Sequence, residues 1–301
     1  MTDLAIRTEG LRFRAGREFA LQDVALQVPT GAVYGFLGPN GSGKTTTIRA
    51  LLGLLGPTRG RISLLGHEVP RALPEALARI GYVPERPHLY GHFTVAQALR
   101  FHAPFHARWD AKWAESQRLR FGLPTDRKLS RLSKGEMGKL MLLLALGQRP
   151  DLLILDEPTD GLDPVVRRDV LGALVEYVEE RRATVFISSH LVHELERICD
   201  RVGLMDQGAL VADLPMATFK SGVRRLRLGD VVPDAAGAPF VLLGRERSLG
   251  GAEEWLVRGW QDGMEGWFGQ RGAPLREVLA LDLEEVFVEL LRWARDDRRA
   301  A

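Results

Sequence analysis

The chain has 301 residues, of which 45% are hydrophobic and 27% are charged, and this composition is typical of a globular protein. Its net charge of +2 is too small to indicate a nucleic-acid-binding protein. The single cysteine, Cys199, excludes a disulfide scaffold and a cysteine-based zinc site. The length predicts two domains, or one large domain with a smaller addition.

No segment has the pattern of a membrane span or a secretory signal. The longest uninterrupted apolar run, residues 140–146, has seven residues, whereas a membrane-spanning helix needs about twenty. The first residues have no basic start that leads into an apolar stretch. We therefore expect the chain to be cytoplasmic unless a partner holds it at a membrane.

In chain order, the first informative elements are a strand, a glycine-rich loop and a helix. Residues 32–37 form an apolar run typical of a buried parallel strand, and residues 45–55 have the pattern of a helix. The segment between them fits G-x-x-x-x-G-K-[ST] at every fixed position. With Thr46, which follows it, this segment supplies the candidate phosphate-binding residues Gly38, Pro39, Asn40, Gly41, Ser42, Gly43, Lys44 and Thr45.

This loop predicts a site for the phosphates of a nucleoside triphosphate. Its glycines let backbone N–H groups turn toward phosphate oxygens, and the following helix directs its positive end at the same anion. We expect Lys44 to reach the β- and γ-phosphates and the Thr45 hydroxyl to bind Mg²⁺. The alternative is a glycine-rich turn that binds no ligand.

The second feature is an apolar strand that ends in two acids. Residues 152–155 have the pattern of a buried strand, and Asp156 and Glu157 follow directly. Carboxylates at such a place are costly unless they meet a cation. We expect Asp156 to hold Mg²⁺ through water and Glu157 to be the general base for the attacking water. The alternative is a strand end with surface acids.

The elements after this strand continue the alternation of strand and helix, which predicts an α/β fold. Apolar residues recur at helical spacing over 164–180, and residues 184–188 form another buried-strand pattern. Two short strands at 202–205 and 209–212 read as a hairpin.

The pattern changes after about residue 213. A connector is predicted over 213–222, followed by short strands between glycine-rich turns at 223–228, 240–243 and 255–257. A helix is predicted from Asp282, where Glu285 completes a capping box.

Four further short motifs stand in a fixed order around the two candidate sites. They are Gly81-Tyr82-Val83-Pro84-Glu85, Leu132-Ser133-Lys134-Gly135-Glu136, Gly161-Leu162-Asp163 and Ser189-His190. In this order and spacing, the motifs resemble those of the ATP-binding (ATPase) subunits of ABC transporters, over about residues 3–215. The family signature LSGGQ is kept at three positions, and the chain departs from it at Lys134 and Glu136.

The resemblance implies an α/β P-loop NTPase fold of ABC type. It implies an N-terminal antiparallel β layer, a helical insertion over about 86–140 and a small C-terminal α+β appendage. The nucleotide-binding domain is expected over 1–215 and the accessory domain over 223–301.

The resemblance also implies that the site is shared between two subunits. Ser133 and Gly135 are expected to face the γ-phosphate held by a second ATPase subunit, and Asp163 to contact that subunit's phosphate loop. On local grounds, Ser133 and Glu136 equally form a helix capping box, and this alternative stays open.

Two more residues receive roles from the resemblance. His190 is expected to bind the γ-phosphate and the attacking water and to link both to Glu157. Glu85 stands where the family usually has glutamine, and it is expected to bind the metal through water.

The aromatic residue that stacks on adenine should fall near Ala15, which cannot stack. Phe13 or Phe19 are the substitutes, and Phe13 is better explained as a core residue.

The function implied is an ATP-hydrolysing subunit that powers an ABC transporter, of the bacterial type that exports drugs, antibiotic peptides or sodium. The resemblance implies a separate transmembrane permease, a second ATPase subunit that is identical or related, and no nucleic acid or direct cargo contact. It places the chain at the cytoplasmic face of the cell membrane. Aromatic residues between 86 and 131 are expected to include a groove for a helix of the partner.

Two other functions stay open. The alternatives to a transporter subunit are a soluble ABC ATPase acting on ribosomes or DNA, and a regulatory nucleotide binder that does not hydrolyse ATP.

Overall fold

The computed structural model describes residues 3–16, 19–229, 232–247, 253–273 and 275–300. These residues form two compact units. The first contains Met1–Leu191 and Arg197–Asp213, and the second contains Val192–Glu196 and Leu214–Ala301. We call them the main unit and the accessory unit.

Strands and helices alternate through most of the chain up to the accessory sheet. In chain order they are β1 (Leu4–Ala15), β2 (Phe19–Val24), β3 (Gln27–Pro29), β4 (Val33–Leu37), α1 (Lys44–Leu51), β5 (Arg59–Leu64), β6 (His67–Val69), α2 (Leu73–Leu77), β7 (Ile80–Val83), α3 (Val95–His102), α4 (Ala111–Arg120), α5 (Lys134–Gly147), β8 (Leu152–Asp156), α6 (Pro164–Arg181), β9 (Thr184–Ser189), α7 (Val192–Leu195), β10 (Arg201–Asp206) and β11 (Ala209–Pro215). The predicted α/β alternation is therefore confirmed.

The main unit contains two sheets. The first has the order β2-β1-β5-β6, with β3 paired to β1, and its pairs are antiparallel, as predicted for the N-terminal layer. The second has the order β11-β10-β4-β9-β8-β7, and the pairs from β10 to β7 are parallel. Strands β4, β8 and β9 are buried at every position, because both faces of a parallel sheet are covered.

The register of this parallel sheet positions the site. Leu37 at the end of β4 pairs with Ser189, and Asp156 at the end of β8 pairs with Ser188. The segments that follow these three strands therefore leave the sheet side by side at the carboxyl edge, where ligands of such sheets bind.

Three α-helices and two short 3-10 helices, Ala103–Phe105 and Leu129–Arg131, lie between β7 and β8. Residues 84–94 have no helix, and α3 begins at Val95 after a capping box in which the Thr94 side chain accepts from the Gln97 backbone N–H. The apolar run of residues 140–146 lies on α5, in which Leu140 to Gly147 are all buried. Within the described ranges, no helix has the length and apolarity that a membrane crossing requires.

The accessory unit contains an antiparallel sheet of order β13-β14-β12-β15. Its elements after β11 are α8 (Met216–Ser221), β12 (Val223–Leu228), β13 (Val241–Arg247), β14 (Glu253–Arg258), α9 (Glu265–Gly269), β15 (Leu275–Ala280) and α10 (Leu283–Ala300). The start of α10 is as predicted: Asp282 N donates to Glu285 Oε2 at 3.0 Å, and Glu285 N donates to Asp282 Oδ1 at 2.8 Å.

The predicted connector over 213–222 is wrong. Strand β11 continues to Pro215, and helix α8 follows at once. Met216 and Phe219, three residues apart, bury their side chains and stabilise this short helix.

Candidate active site

The loop of residues 38–43 connects β4 to α1 and is shaped by its glycines. Gly41 and Gly43 have φ values of +80° and +113°, a region that other residues rarely adopt. A Cβ atom at Gly38 would lie 2.3 Å from the Met205 carbonyl oxygen and 2.6 Å from Ser42 Oγ. These positions therefore require glycine.

Lys44, the first residue of α1, is 5% exposed, and its ammonium group lies inside the loop. Its Nζ donates to the Gly38 carbonyl oxygen at 2.6 Å and the Pro39 carbonyl oxygen at 3.3 Å. Ser42 Oγ is buried and has no hydrogen-bond partner among the residues that the structure describes. An ammonium and a free hydroxyl in one buried loop fit a phosphate group, which accepts hydrogen bonds from both.

Asp156 is 1% exposed at the end of β8. One oxygen, Oδ1, accepts from Ser188 Oγ at 2.8 Å and from Thr45 Oγ1 at 3.2 Å. Burial raises the pKa of the Asp156 carboxyl, and the charges of Glu85 and Glu157 add to this effect. Burial of the negatively charged carboxylate therefore costs free energy, and a bound cation would offset this cost.

Glu157 occupies the centre of the site. Its backbone has a φ of +49°, and its N–H donates to Ser188 Oγ at 2.9 Å. Oε1 lies 3.1 Å from Lys44 Nζ, near enough for an ion pair although the atoms are not aligned for a hydrogen bond. Oε2 lies 3.0 Å from His190 Nδ1 and accepts from the His190 backbone N–H at 3.3 Å. One carboxylate therefore bridges the phosphate-loop lysine and the histidine after β9.

A cavity of about 370 Å³ joins these groups. Its lining includes predicted residues from four separate segments and one residue that the sequence analysis missed, Asp160. The lining residues are Asn40, Gly41, Gly43, Lys44, Thr45, Thr46, Glu85, Glu157, Asp160 and His190. Asp160 carried a signal that could have found it, because it lies three residues after the predicted base in the turn that follows β8.

Thr45, which lines the cavity, and Asp156, which accepts a hydrogen bond from the Thr45 hydroxyl, provide oxygen ligands that fit Mg²⁺. No group of three histidine, cysteine, aspartate or glutamate side chains within the described ranges could hold a metal ion unaided. Asp156 and Thr45 supply a carboxylate and a hydroxyl within hydrogen-bond distance of each other. Mg²⁺ is usually held by one or two carboxylates with waters and substrate phosphates, so this set is sufficient once a nucleotide supplies oxygens.

Ser133, Gly135 and Asp163 do not line this cavity. Ser133 Oγ accepts from the Glu136 backbone N–H at 3.2 Å, and Glu136 Oε2 accepts from the Ser133 N–H at 2.9 Å. These contacts form a capping box at the start of α5, so the local alternative for this pair is confirmed. The hydrogen bond from the Ser133 backbone is the main cause that lowers the pKa of Glu136.

The segment before α6 is also a helix cap. Asp163 Oδ1 accepts from the backbone N–H groups of Val165 at 3.0 Å and Val166 at 3.1 Å. Gly135 lies close to this helix, because a Cβ added to it would be 3.1 Å from Val166 side-chain atoms. The contacts of Ser133, Gly135 and Asp163 with a second subunit stay predictions.

Phe13 and Phe19 are the aromatic residues near the position expected to stack on adenine. Phe13 is partly buried and packs against the core of the N-terminal sheet, which confirms its interpretation as a core residue. The side chains of Ala15 and Phe19 lie outside the described residues.

Replacement of Asp156 by asparagine is expected to stabilise the nucleotide-free chain. An acid with a raised pKa binds its proton more tightly when folded, so its contribution to stability is lost as pH rises above the unfolded value of about 3.9. Asp156→Asn should raise the free energy of unfolding at pH 7 by about 1 kcal/mol, and the gain should shrink toward pH 4. Urea unfolding at several pH values measures this. A variant less stable than the unmodified chain at pH 7 would show that the buried charge of Asp156 does not destabilise the fold.

Comparisons with known proteins identify the family of this chain. The sequence model of the family described as ABC transporter matches residues 21–160. The bacitracin transport ATP-binding protein of Bacillus licheniformis is 36% identical over 222 residues, which are 73% of this chain and 72% of that protein. The Nod factor export ATP-binding protein I of Burkholderia lata is 37% identical over 216 residues, or 70% of this chain and 71% of that protein. A solved structure of the ATP binding subunit of an ABC transporter has a TM-score of 0.65 at 28% identity and covers 72% of this chain and 92% of its own.

Proposed function

Because the chain belongs to the family of ATP-binding subunits of ABC transporters, we propose that the site around Lys44, Glu157 and His190 hydrolyses ATP to power an exporter. The observation that carries this proposal is the Glu157 carboxylate, which lies 3.1 Å from Lys44 Nζ and 3.0 Å from His190 Nδ1. This arrangement suits transfer of a phosphoryl group to water, in which a base takes the proton of the water and a cation stabilises the charge on the phosphate oxygens.

The chain's own residues divide the work of hydrolysis. Lys44 and the N–H groups of the loop bind and orient the phosphates, and Ser42 offers its unpartnered hydroxyl to them. Glu157 accepts a proton from the attacking water, while His190 orients the carboxylate through Oε2. Mg²⁺ bound with Asp156 and Thr45 would neutralise charge on the phosphate oxygens.

We propose that a second ATPase subunit completes the site. Ser133 stands at the N-terminal end of α5, where N–H groups and the helix dipole favour an anion. The cavity around Lys44 is lined by neither Ser133 nor Gly135 of the same chain. We call residues 132–136 the signature segment. The separation supports a head-to-tail pair, in which each chain presents its signature segment to the nucleotide of the other.

An exposed aromatic patch supports a membrane protein as the other partner. Tyr90, Phe101 and Phe105 are 57%, 42% and 70% exposed. Their rings touch in sequence, with centroid distances of 5.7 Å between Tyr90 and Phe101 and 5.4 Å between Phe101 and Phe105. Contiguous exposed apolar surface marks interaction sites. We propose that a segment of a separate permease covers this patch and holds the chain at the cytoplasmic face of the cell membrane.

The test of this function combines co-purification and catalysis. The chain should be recovered from membranes with a multi-span protein, and the complex should release phosphate from ATP in the presence of Mg²⁺. Recovery with ribosomes or DNA, with no membrane partner, would favour a non-transport ATPase. Nucleotide binding without any phosphate release from the complex would favour a regulatory nucleotide binder.

Two substitutions in the capping box separate the local role of Ser133 from its proposed role in the subunit pair. Ser133→Ala and Glu136→Ala each remove a capping contact, and each should lower the free energy of unfolding by about 1 kcal/mol. Only Ser133→Ala should weaken ATP-dependent pairing of the chains, because only Ser133 offers a hydroxyl to the facing phosphate. Light scattering with and without ATP measures the pairing. If both variants weakened ATP-dependent pairing equally, Ser133 would act only as a helix cap.

A further inference from the structure

The segment that follows His190 packs as part of the accessory unit. Val192–Glu196 groups with Leu214–Ala301, whereas the residues on either side, Leu191 and Arg197, belong to the main unit. The segment includes α7 and begins two residues after the histidine that contacts Glu157. We call Val192–Glu196 the switch segment.

The accessory unit holds the switch segment by buried and by charged contacts. Helix α7 packs against α10, and Val192 and Leu195 are 2% and 0% exposed. Glu284 on α10 places Oε1 3.3 Å from His193 Nδ1. Lys220 on α8 places Nζ 2.9 Å from Glu196 Oε1. Two helices of the accessory unit therefore fix the position of these residues.

The connection between the switch segment and His190 is short. Leu191 is the single residue between His190 and Val192, and one residue spans at most about 3.6 Å. The Leu191 backbone is itself tied down, since its N–H donates to Ser189 Oγ at 3.0 Å and Ser189 Oγ donates to its carbonyl oxygen at 3.4 Å. A displacement of α7 is therefore passed to His190 rather than absorbed by a flexible loop.

We propose that the accessory unit positions His190 for hydrolysis through the switch segment. The inference rests on the proposed function of His190 and assigns Glu196, Leu195 and Lys220 as positioning residues that do not touch ATP. His190 contacts the Glu157 carboxylate through both Nδ1 and its backbone N–H, so a shifted histidine turns the general base away from the water. Lys44 Nζ keeps its own hydrogen bonds to the Gly38 and Pro39 carbonyl oxygens, so we expect this shift to change phosphate binding much less than the position of the base. Loosening the switch segment should therefore lower kcat and leave KM for ATP unchanged.

The first test uses charge reversal on the surface of the full chain, assayed with its co-purifying membrane protein. Lys220→Glu places two carboxylates together, because Lys220 pairs with Glu196 at 2.9 Å. We expect kcat to fall about fivefold with KM for ATP within about twofold. The charge swap, Lys220→Glu with Glu196→Lys, should restore kcat. The matched control is Glu277→Lys, which reverses an equally exposed partner of Arg227 elsewhere in the accessory unit and should leave kcat unchanged.

The second test uses buried leucines, because exposed ion pairs contribute little energy. Leu195 lies in the switch segment and Leu226 lies in the accessory sheet, and both are fully buried. Leu195→Ala should lower kcat by about tenfold or more, whereas Leu226→Ala, a matched loss of buried volume, should not. Urea unfolding verifies that both variants remain folded under the assay conditions.

His190→Ala separates failure of this inference from failure of the proposed function. If His190→Ala hydrolyses ATP as fast as the unmodified chain, the proposed role of His190 is wrong. If His190→Ala is slow while Lys220→Glu and Leu195→Ala match their controls, the positioning role of the accessory unit is overturned and the proposed function stands. A fall in kcat shared by Leu195→Ala and Leu226→Ala also overturns it, because the effect would then reflect folding of the accessory unit.

Discussion

Replacement of Glu157 by glutamine is expected to slow ATP hydrolysis by about 10²- to 10⁴-fold while ATP binding is retained. The amide has nearly the same size as the carboxylate and can still accept a hydrogen bond from His190, which lies 3.0 Å from Oε2. It cannot take a proton from water at neutral pH. It also removes a negative charge close to the phosphates, so affinity for ATP should be equal or higher.

Single-turnover phosphate release, with a separate measurement of nucleotide affinity, tests this expectation. Asp160→Asn is the control for the loss of charge, because Asp160 lines the same cavity and pairs with Lys134 at 3.3 Å rather than with His190. It should change the hydrolysis rate by less than about threefold. A Glu157→Gln chain that hydrolyses ATP at the rate of the unmodified chain would remove Glu157 from the role of general base.

Replacement of Lys44 by methionine is expected to weaken ATP binding by about 100-fold or more. The ammonium group is buried among loop carbonyls and lies 3.1 Å from Glu157 Oε1, so it is the main positive charge at the base of the cavity. Methionine has a similar length and no charge. The substitution removes charge-assisted hydrogen bonds to the phosphates, and it also leaves the Glu157 carboxylate without its cation, which adds repulsion toward the nucleotide.

Displacement of a fluorescent nucleotide by ATP measures this affinity. Lys112→Met, on the exposed surface of α4, is the matched control and should not change it. Since the chain belongs to a family of ATP-binding proteins, unchanged affinity in Lys44→Met would mean that ATP binds elsewhere than in the loop of residues 38–43.

The core of the site could be predicted from the sequence because each part is encoded locally. The phosphate loop has a fixed pattern of glycines, and Asp156 and His190 each stand at the end of a strongly apolar strand. Parallel strands bring such ends to one edge, so strand patterns alone place the residues near each other. The structure adds what no local pattern contains, namely that Glu157 bridges Lys44 and His190.

The accessory unit was harder to predict, and the reason is physical. Strand β15 and helix α9 have no signal in the sequence. Both elements are short, few of their side chains are buried, and their apolar residues recur with neither the alternation of a strand nor the spacing of a helix. Helix α8 did carry a signal in Met216 and Phe219, which the connector interpretation overlooked. The switch segment could not be found from sequence, because Val192–Glu196 joins the accessory unit through contacts with residues such as Glu284, about ninety positions away.

We propose that the nucleotide site combines the phosphate loop of one chain with the signature segment of another. The most direct measurement mixes two inactive forms, both carrying Glu157→Gln to prevent turnover. One carries Lys44→Met and the other Ser133→Arg. In a head-to-tail pair, a mixed dimer has one site with both defects and one site with neither.

Light scattering and retained nucleotide are measured with ATP and Mg²⁺ for each form alone and for the mixture. We predict that neither form pairs alone, and that the mixture forms dimers that retain about one ATP each. A mixture that behaves as the sum of its two components would contradict the shared site, because defects in one self-contained site cannot be complemented by another chain.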